Sequence, residues 1–287
     1  MIDRLLLYTA YAIGAVLAII LLRYAWLWWT RVRPRVPELH REWWSDCAEL
    51  GHAEINGDAI EITNVRDFTW RSSKDHDVKW VTKNVDATKI KDVWFIIDHF
   101  HRLRALAHTM ISFEFEDGEI LTFSFETRRE LGDKYHPWDG MWRGFELYLL
   151  VATERDALHL RTNVRKHKVH MYRVQSPEGK DKALLVQLCK RMNELKVRPE
   201  WYHTLSASCT TTIVSQVNQV TPGRIPFTWR ALLPGHAARA AFKLGLVQDW
   251  GGYAETLQKS RIDENAQAWN GESDFSHHIR ETLPPPS

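Results

Sequence analysis

The sequence predicts an α+β fold in which an N-terminal transmembrane helix precedes an antiparallel sheet packed with helices. Three patterns predict it: residues 5–22 form an uncharged apolar run, residues 108–126 alternate apolar and polar side chains around a turn, and residues 181–196 repeat apolar side chains at helical spacing. Of the 287 residues, 44% are hydrophobic and 26% charged, which is typical of a globular chain and excludes a disordered or fibrous one.

The charge balance and the cysteine count exclude several classes of protein. With 38 Lys and Arg against 36 Asp and Glu, the chain is nearly neutral, so a nucleic-acid partner is not expected. The chain has three cysteines, Cys47, Cys189 and Cys209, and no two of them form a Cys-x-x-Cys pair. Neither a disulfide framework nor a cysteine-rich zinc site is therefore predicted. Nucleotide-binding glycine motifs and the Gly-x-Ser-x-Gly motif are missing, and no cofactor is predicted.

The N-terminal run predicts an uncleaved membrane anchor. Residues 5–22 are long enough to cross a bilayer, and the aromatic residues of 24–29 suit a headgroup-level belt, so the lipid bilayer is the expected partner of residues 5–29. A cleaved signal peptide is the alternative, but no small-x-small site follows. Arg31, Arg33 and Arg35 follow the run and only Arg4 precedes it, so the positive-inside rule places the main domain in the cytoplasm.

The rest of the chain reads as one mixed domain. The predicted division is an anchor over 1–30, a juxtamembrane segment over 31–60, a domain over 61–280 and a disordered tail over 281–287. Predicted elements are a hairpin over 53–63, a polar loop with one short strand over 71–90, strands over 93–100, 145–152 and 169–174, and helices capped by Thr153 and covering 181–196. The apolar stripe of the last helix comprises Leu184, Leu185, Leu188, Cys189, Met192 and Leu195.

The hairpin over 108–126 has a register that can be derived. A two-residue turn would pair Phe113 with Thr122, whereas a three-residue loop ending at Gly118 pairs Phe113 with Leu121 and makes one face uniformly apolar. That second register places His108 opposite Glu126. The carboxylate could orient the imidazole for proton transfer, or the pair could be a plain cross-strand salt bridge.

Cys209 lies where a helix is predicted to begin, with Ser206 or Ser208 as its cap. The helix dipole and free N–H groups would stabilise a thiolate there, although a buried structural cysteine is the alternative. His99 and His101 share a strand face, but no third ligand accompanies them and no metal is predicted. The tightly mixed charges of 128–130 and 154–156 are typical of structural ion-pair networks.

Several of these segments resemble a family. The segments that carry the resemblance are Asn64 to Trp70, His108-Thr109, Ser124 to Glu130, Glu154-Arg155-Asp156 and Cys209-Thr210-Thr211. They are similar to the Lnb N-terminal periplasmic domain family, a largely uncharacterised bacterial envelope family. The resemblance covers roughly residues 60–280. The family usually has Asn where Ser208 stands and Gly where Glu114 stands. The resemblance implies a periplasmic domain on a bacterial inner-membrane anchor, against the arginine count, and we follow the resemblance.

The order of the candidate residues resembles a second group. A histidine strand, its glutamate partner and then a cysteine helix follow one another in circularly permuted papain-like hydrolases. The resemblance implies a papain-like domain in which Cys209 is the nucleophile, His108 the general base and Glu126 the orienting group, with backbone N–H groups of Ser208 to Thr210 holding an oxyanion. The expected substrate is an envelope amide or ester, on peptidoglycan or on a lipid-linked acyl group.

Two other functions stay open. A non-catalytic binding or scaffolding module would use the same groove, with Arg128, Arg129 and Arg155 reading an anionic envelope ligand. A membrane assembly factor would instead depend on the tryptophan-rich residues 1–45.

Overall fold

The computed structural model describes residues 2–103, 105–136, 138–228 and 233–286. An N-terminal helix, α1 (Ile2–Leu27), continues into a π-helical turn at Trp28–Val32. By length and composition, Leu6–Val32 could cross a membrane, and the described residues contain one such helix. The predicted N-terminal apolar helix is therefore confirmed as a helix.

A nine-stranded sheet forms the centre of the domain. The strands, in chain order, are β1 (His52–Asn56), β2 (Ala59–Arg66), β3 (Thr69–Trp70), β4 (His76–Asp77), β5 (Trp80–Asp86), β6 (Ile90–His99), β7 (His108–Phe115), β8 (Ile120–Arg128), β9 (Glu146–Thr153), β10 (Lys168–Arg173) and β11 (Glu200–Trp201). Their order is β1-β2-β9-β8-β7-β6-β10, with β5 beside β2 and β11 beside β9, while β3 and β4 pair separately. All pairs are antiparallel except the short contact of Arg66 with Ala152, so the sheet is mixed.

Helices cover both faces of the sheet. They are α2 (Glu154–His159), α3 (Lys180–Val197), α4 (Cys209–Val220), α5 (Pro234–Lys243), α6 (Tyr253–Lys259), α7 (Asp263–Ala268) and α8 (Phe275–Arg280). One core joins Phe113 and Phe123 of the sheet to Leu188 of α3, and another joins Met110 to Phe275 of α8. Because both faces are covered, even the polar face of β7 and β8 is buried, and Ser112 bonds Thr122 there at 2.7 Å.

The predicted α+β class is confirmed, and so are its most informative elements. Phe113 pairs with Leu121 and Ile111 with Phe123, which is the three-residue-loop register. All six residues of the predicted stripe on α3 are buried, and Thr153 caps α2. Cys189 is one of them and serves as a core residue.

The structure places strands in two predicted segments. The hairpin predicted over 53–63 is confirmed as β1 and β2, so the end of the juxtamembrane segment 31–60 belongs to the main sheet, and Trp43 forms a bridge with Glu130. Residues 71–90 contain β4 and the seven-residue β5, whose outer side is exposed and whose sequence is therefore polar.

The tail also differs from its prediction. Leu283 packs against the second core, and the carbonyl of Pro285 accepts a hydrogen bond from Gln248. Residues 281–286 therefore lie against the domain, and Ser287 lies outside the described residues.

Candidate active site

The hairpin and helix α4 bring the three predicted residues together. His108 begins β7, Glu126 lies near the end of β8, and Cys209 is the first residue of α4. Ser208 caps α4 in a capping box with Thr211. This capping box fixes the residue at which the preceding loop ends and the helix begins. The hydroxyls of Thr109 and Thr210 meet at 3.1 Å and join the start of α4 to the start of β7.

One nitrogen of the His108 ring is held by the neighbouring strand. Its Nε2 lies 2.6 Å from Ser124 Oγ and 3.0 Å from Glu126 Oε1, and the Ser124 hydroxyl donates to the same carboxylate oxygen at 2.8 Å. Glu126 and Ser124 therefore hold the imidazole from the side of β8, as an orienting group would.

The charges of this cluster stabilise the ionised forms of cysteine and histidine. Burial raises the pKa of the Cys209 thiol, but the charge and hydrogen bond of His108 outweigh it and lower the pKa to about 7. Burial lowers the pKa of His108, but Glu126 and Cys209 together raise it to about 10. Between these values, Cys209 is a thiolate and His108 an imidazolium. The other two cysteines differ, because burial raises the pKa of Cys47 and of Cys189 to about 12.

The cluster opens into a cleft of about 660 Å³, here called the central cleft. That size is typical of small-molecule sites. Residues of the strands, of the loops between them and of the start of α4 line it, among them His108, Glu126, Arg129, Tyr135, Arg161, Arg165, Tyr202, Leu205, Ser208 and Cys209. Cys209 is only 4% exposed and therefore lies at the floor.

Sequence reasoning missed two members of the cluster. Ser124 precedes Glu126 by two residues on the same strand face, so the derived register contains the signal for it. Arg161 donates to Glu126 Oε1 at 2.8 Å and lies 3.3 Å from Asp98. With His108 and Ser124, it holds the pKa of Glu126 well below its usual range, although burial alone raises it. No local pattern marks Arg161, since it lies 35 residues from Glu126.

The three arginines predicted to read a ligand are placed differently. Arg129 lines the central cleft, where it bonds Asp46 at 2.7 Å. Arg128 and Arg155 do not line it. Arg128 is buried and donates to the carbonyls of residues 39, 47 and 48, which ties the juxtamembrane segment to β8. Arg155 bonds Asp67 at 3.1 Å on the other side of β9.

The structure of the start of α4 removes one of the backbone N–H groups predicted to hold an oxyanion, that of Ser208. The N–H of Ser208 donates to Thr211 Oγ1 at 2.8 Å within the capping box, so it is already used. The N–H groups of Cys209 and Thr210 are the first two of α4 and have no intrahelical acceptor. These two N–H groups are the candidates for an oxyanion hole.

His99 and His101, the weak metal candidates, do not assemble a site in the described residues. His99 ends β6, whereas His101 is exposed in the following loop and accepts from the N–H of Leu103. No group of three or more His, Cys, Asp and Glu among the described residues could hold a metal ion.

Replacing Glu126 with Gln is expected to slow alkylation of Cys209 several-fold at pH 7. Without the carboxylate the pKa of His108 falls, the imidazolium is less stable, and the pKa of Cys209 rises. The rate of iodoacetamide labelling, read by mass spectrometry, measures this. Glu130→Gln is the matched control, because Glu130 pairs with Arg41 outside the cleft. Equal labelling rates in the two variants would show that Glu126 does not orient His108.

The fold and site define a class: an α+β domain behind an apolar helix, with a cysteine, a histidine and a glutamate gathered at the floor of one cleft. Residues 76–235 match the family described as Lnb N-terminal periplasmic domain. The chain belongs to this family, and the match lies inside the range expected from the motifs. No curated protein and no solved structure matches the chain. The family description and the N-terminal helix fit a single-pass membrane protein with a periplasmic domain.

Proposed function

We propose that this protein is a cysteine hydrolase or acyltransferase, anchored in the bacterial inner membrane by residues 5–29, that acts on an envelope amide or ester. One observation carries the proposal: His108, held by Glu126 and Ser124, lines the same cleft as Cys209 at the start of α4 and lowers the pKa of its thiol. A nucleophile, a base and an orienting group in this order are what acyl transfer needs.

In the first half of the reaction, the Cys209 thiolate attacks the substrate carbonyl carbon and forms a C–S bond. The carbonyl electrons move to oxygen, and the N–H groups of Cys209 and Thr210 stabilise that oxyanion. When the C–N or C–O bond breaks, the His108 imidazolium gives its proton to the leaving amine or alcohol. The acyl group remains on Cys209 as a thioester.

In the second half, His108 is neutral and acts as the base. It removes a proton from water in a hydrolase, or from an acceptor amine or alcohol in an acyltransferase. The acceptor oxygen or nitrogen attacks the thioester, the C–S bond breaks, and the thiolate–imidazolium pair is restored. Glu126 stays ionised and holds the ring throughout.

The chain order supports the proposal. A histidine strand, its carboxylate partner and a later cysteine helix follow one another along the chain in the order of circularly permuted papain-like hydrolases, and Cys209 is the first residue of its helix. The cleft around the cluster gives a substrate access to an otherwise buried thiol.

The experiment is a search for the thioester. The full-length protein in detergent is incubated with a muropeptide, with a phospholipid and with a small activated ester, and its intact mass is measured. We expect an acyl adduct on Cys209 with one of them, and no adduct in Cys209→Ala or His108→Ala. An amine acceptor that consumes the adduct identifies an acyltransferase, whereas loss to water identifies a hydrolase. Adducts that persist in Cys209→Ala would contradict the proposal.

A non-catalytic binding module remains the alternative, and one observation favours it. Arg165 lines the central cleft, is exposed, and has no ion-pair partner among the described residues. Its guanidinium is available to an anionic group. Under this alternative, Cys209→Ala complements a deletion strain as well as the wild-type gene does, whereas Arg165→Met fails.

A further inference from the structure

Two loops beside the central cleft, one between β8 and β9 and one before α4, carry large apolar side chains in contact with water. Leu131 and Leu205 are each 61% exposed, and Trp138 is 58% exposed. Tyr135, which lines the cleft, is 40% exposed. We call these four residues the apolar rim. Large apolar side chains exposed together on neighbouring loops usually mark an interaction surface.

One end of the apolar rim touches the anchor. Tyr24, near the end of α1, stacks on Trp142 with ring centroids 5.9 Å apart, and Trp138 lies 6.2 Å from the same Trp142 ring. The guanidinium of Arg143 donates to the carbonyls of Arg33 at 3.0 Å and Arg35 at 3.3 Å. Residues 138–143 are therefore bonded to the chain where it leaves the anchor.

The same segment packs on the wall of the cleft. The N–H of Thr204 donates to the carbonyl of Gly140 at 3.3 Å. A side chain at Gly140 would meet Thr204 Oγ1 at 2.6 Å, so the Thr204 side chain packs against Gly140 in space that a Cβ would occupy. Thr204 leads directly to Leu205 of the apolar rim. Leu131 is tied to the juxtamembrane segment as well, through its N–H to the carbonyl of Glu42 at 2.7 Å.

We propose that the apolar rim rests in the interfacial layer of the bilayer that the anchor crosses, so that the central cleft opens onto the membrane surface. The occupant is the lipid surface because the rim is continuous with the anchor end, where Trp26 and Trp29 are each 60% exposed. Tryptophan and tyrosine favour that layer, in which an apolar ring and a polar edge both find partners. The inference rests on the membrane placement of residues 5–29 proposed above.

The test uses the full-length protein in vesicles of phosphatidylethanolamine and phosphatidylglycerol. Single cysteines carrying an environment-sensitive fluorophore are placed by Trp138→Cys or Leu205→Cys in a Cys209→Ala background. Cys47 and Cys189 stay unlabelled at neutral pH, since burial raises the pKa of each to about 12. Lipids that carry a spin label high on the acyl chain quench a fluorophore in the interface, and lipids labelled near the end of the acyl chain quench one at the bilayer centre, where the proposed span places residue 17.

Two further labels make the outcomes distinguishable. Leu17→Cys reports the anchor, and Asp117→Cys reports the hairpin tip beyond the far end of β7, a strand that rises roughly 23 Å from His108 to Phe115 at about 3.3 Å per residue. We expect both rim labels to be quenched at least about twofold more than the Asp117 label, as burial in the headgroup layer requires. If Leu17 is quenched while both rim labels match Asp117, the rim proposal is wrong and the anchor stands. If Leu17 is not quenched, the membrane placement fails and the rim proposal with it.

Discussion

Replacing Asp156 with Ala is expected to lower the free energy of unfolding by about 3–5 kcal/mol, because it leaves a buried charge without its partner. Asp156 accepts hydrogen bonds from Arg66 Nε and Nη2 at 2.8 and 3.0 Å, from the N–H of Phe68 at 2.8 Å and from Trp70 Nε1 at 2.7 Å. Arg66 is 4% exposed, so water cannot replace the lost carboxylate.

The measurement is chemical denaturation of the detergent-solubilised protein, followed by circular dichroism. Asp75→Ala is the matched control, since Asp75 forms the same two-pronged pair with Arg71 but on the surface. That variant should leave the free energy of unfolding nearly unchanged. Equal effects in the two variants would show that the buried network does not stabilise the junction of β2, β3 and α2.

Replacing His108 with Ala is expected to slow alkylation of Cys209 at pH 7 by about fifteen-fold or more. A thiol with a pKa of about 7 is half ionised at that pH, whereas one at the reference value of about 8.5 is roughly 3% ionised. Burial raises the pKa of the thiol further once the imidazolium is gone. The rate of iodoacetamide labelling, followed by mass spectrometry, gives the ratio.

His167→Ala is the control for this prediction. His167 also lines the central cleft and also bonds a carboxylate, Asp98, at 2.9 Å, so the variant removes an imidazole of the same kind. We expect its labelling rate to stay close to that of the wild type. A comparable loss in both variants would mean that a general change of the cleft, and not the loss of the partner of Cys209, slows the reaction.

The local parts of the site could be predicted because they follow from periodicity. Only one register buries the phenylalanines of β7 and β8 on a single face, and that register places His108 opposite Glu126. The start of α4 at Cys209 follows from the capping preference of Ser208. In both cases the types of a few neighbouring residues are enough to predict the local structure.

The rest depends on contacts between distant segments, which no local pattern records. Arg161 reaches Glu126 only because β10 and the turn before it pack beside β6. Arg128 looked available for a ligand, but the juxtamembrane carbonyls that accept its hydrogen bonds lie 80 or more residues away. The polar residues of 71–90 predicted a segment that is mostly loop. In the structure they belong in large part to an edge strand, β5, one side of which is exposed to solvent.

The pH dependence of Cys209 alkylation in the full-length protein tests the central claim, that Cys209 ionises as half of a pair with His108. Cys47 and Cys189 do not interfere, since burial keeps both protonated. We predict that the rate rises with pH to a midpoint near 7, and that His108→Ala moves the midpoint above the ordinary value of about 8.5. A wild-type midpoint at or above that value, or one that His108→Ala leaves in place, would contradict the account.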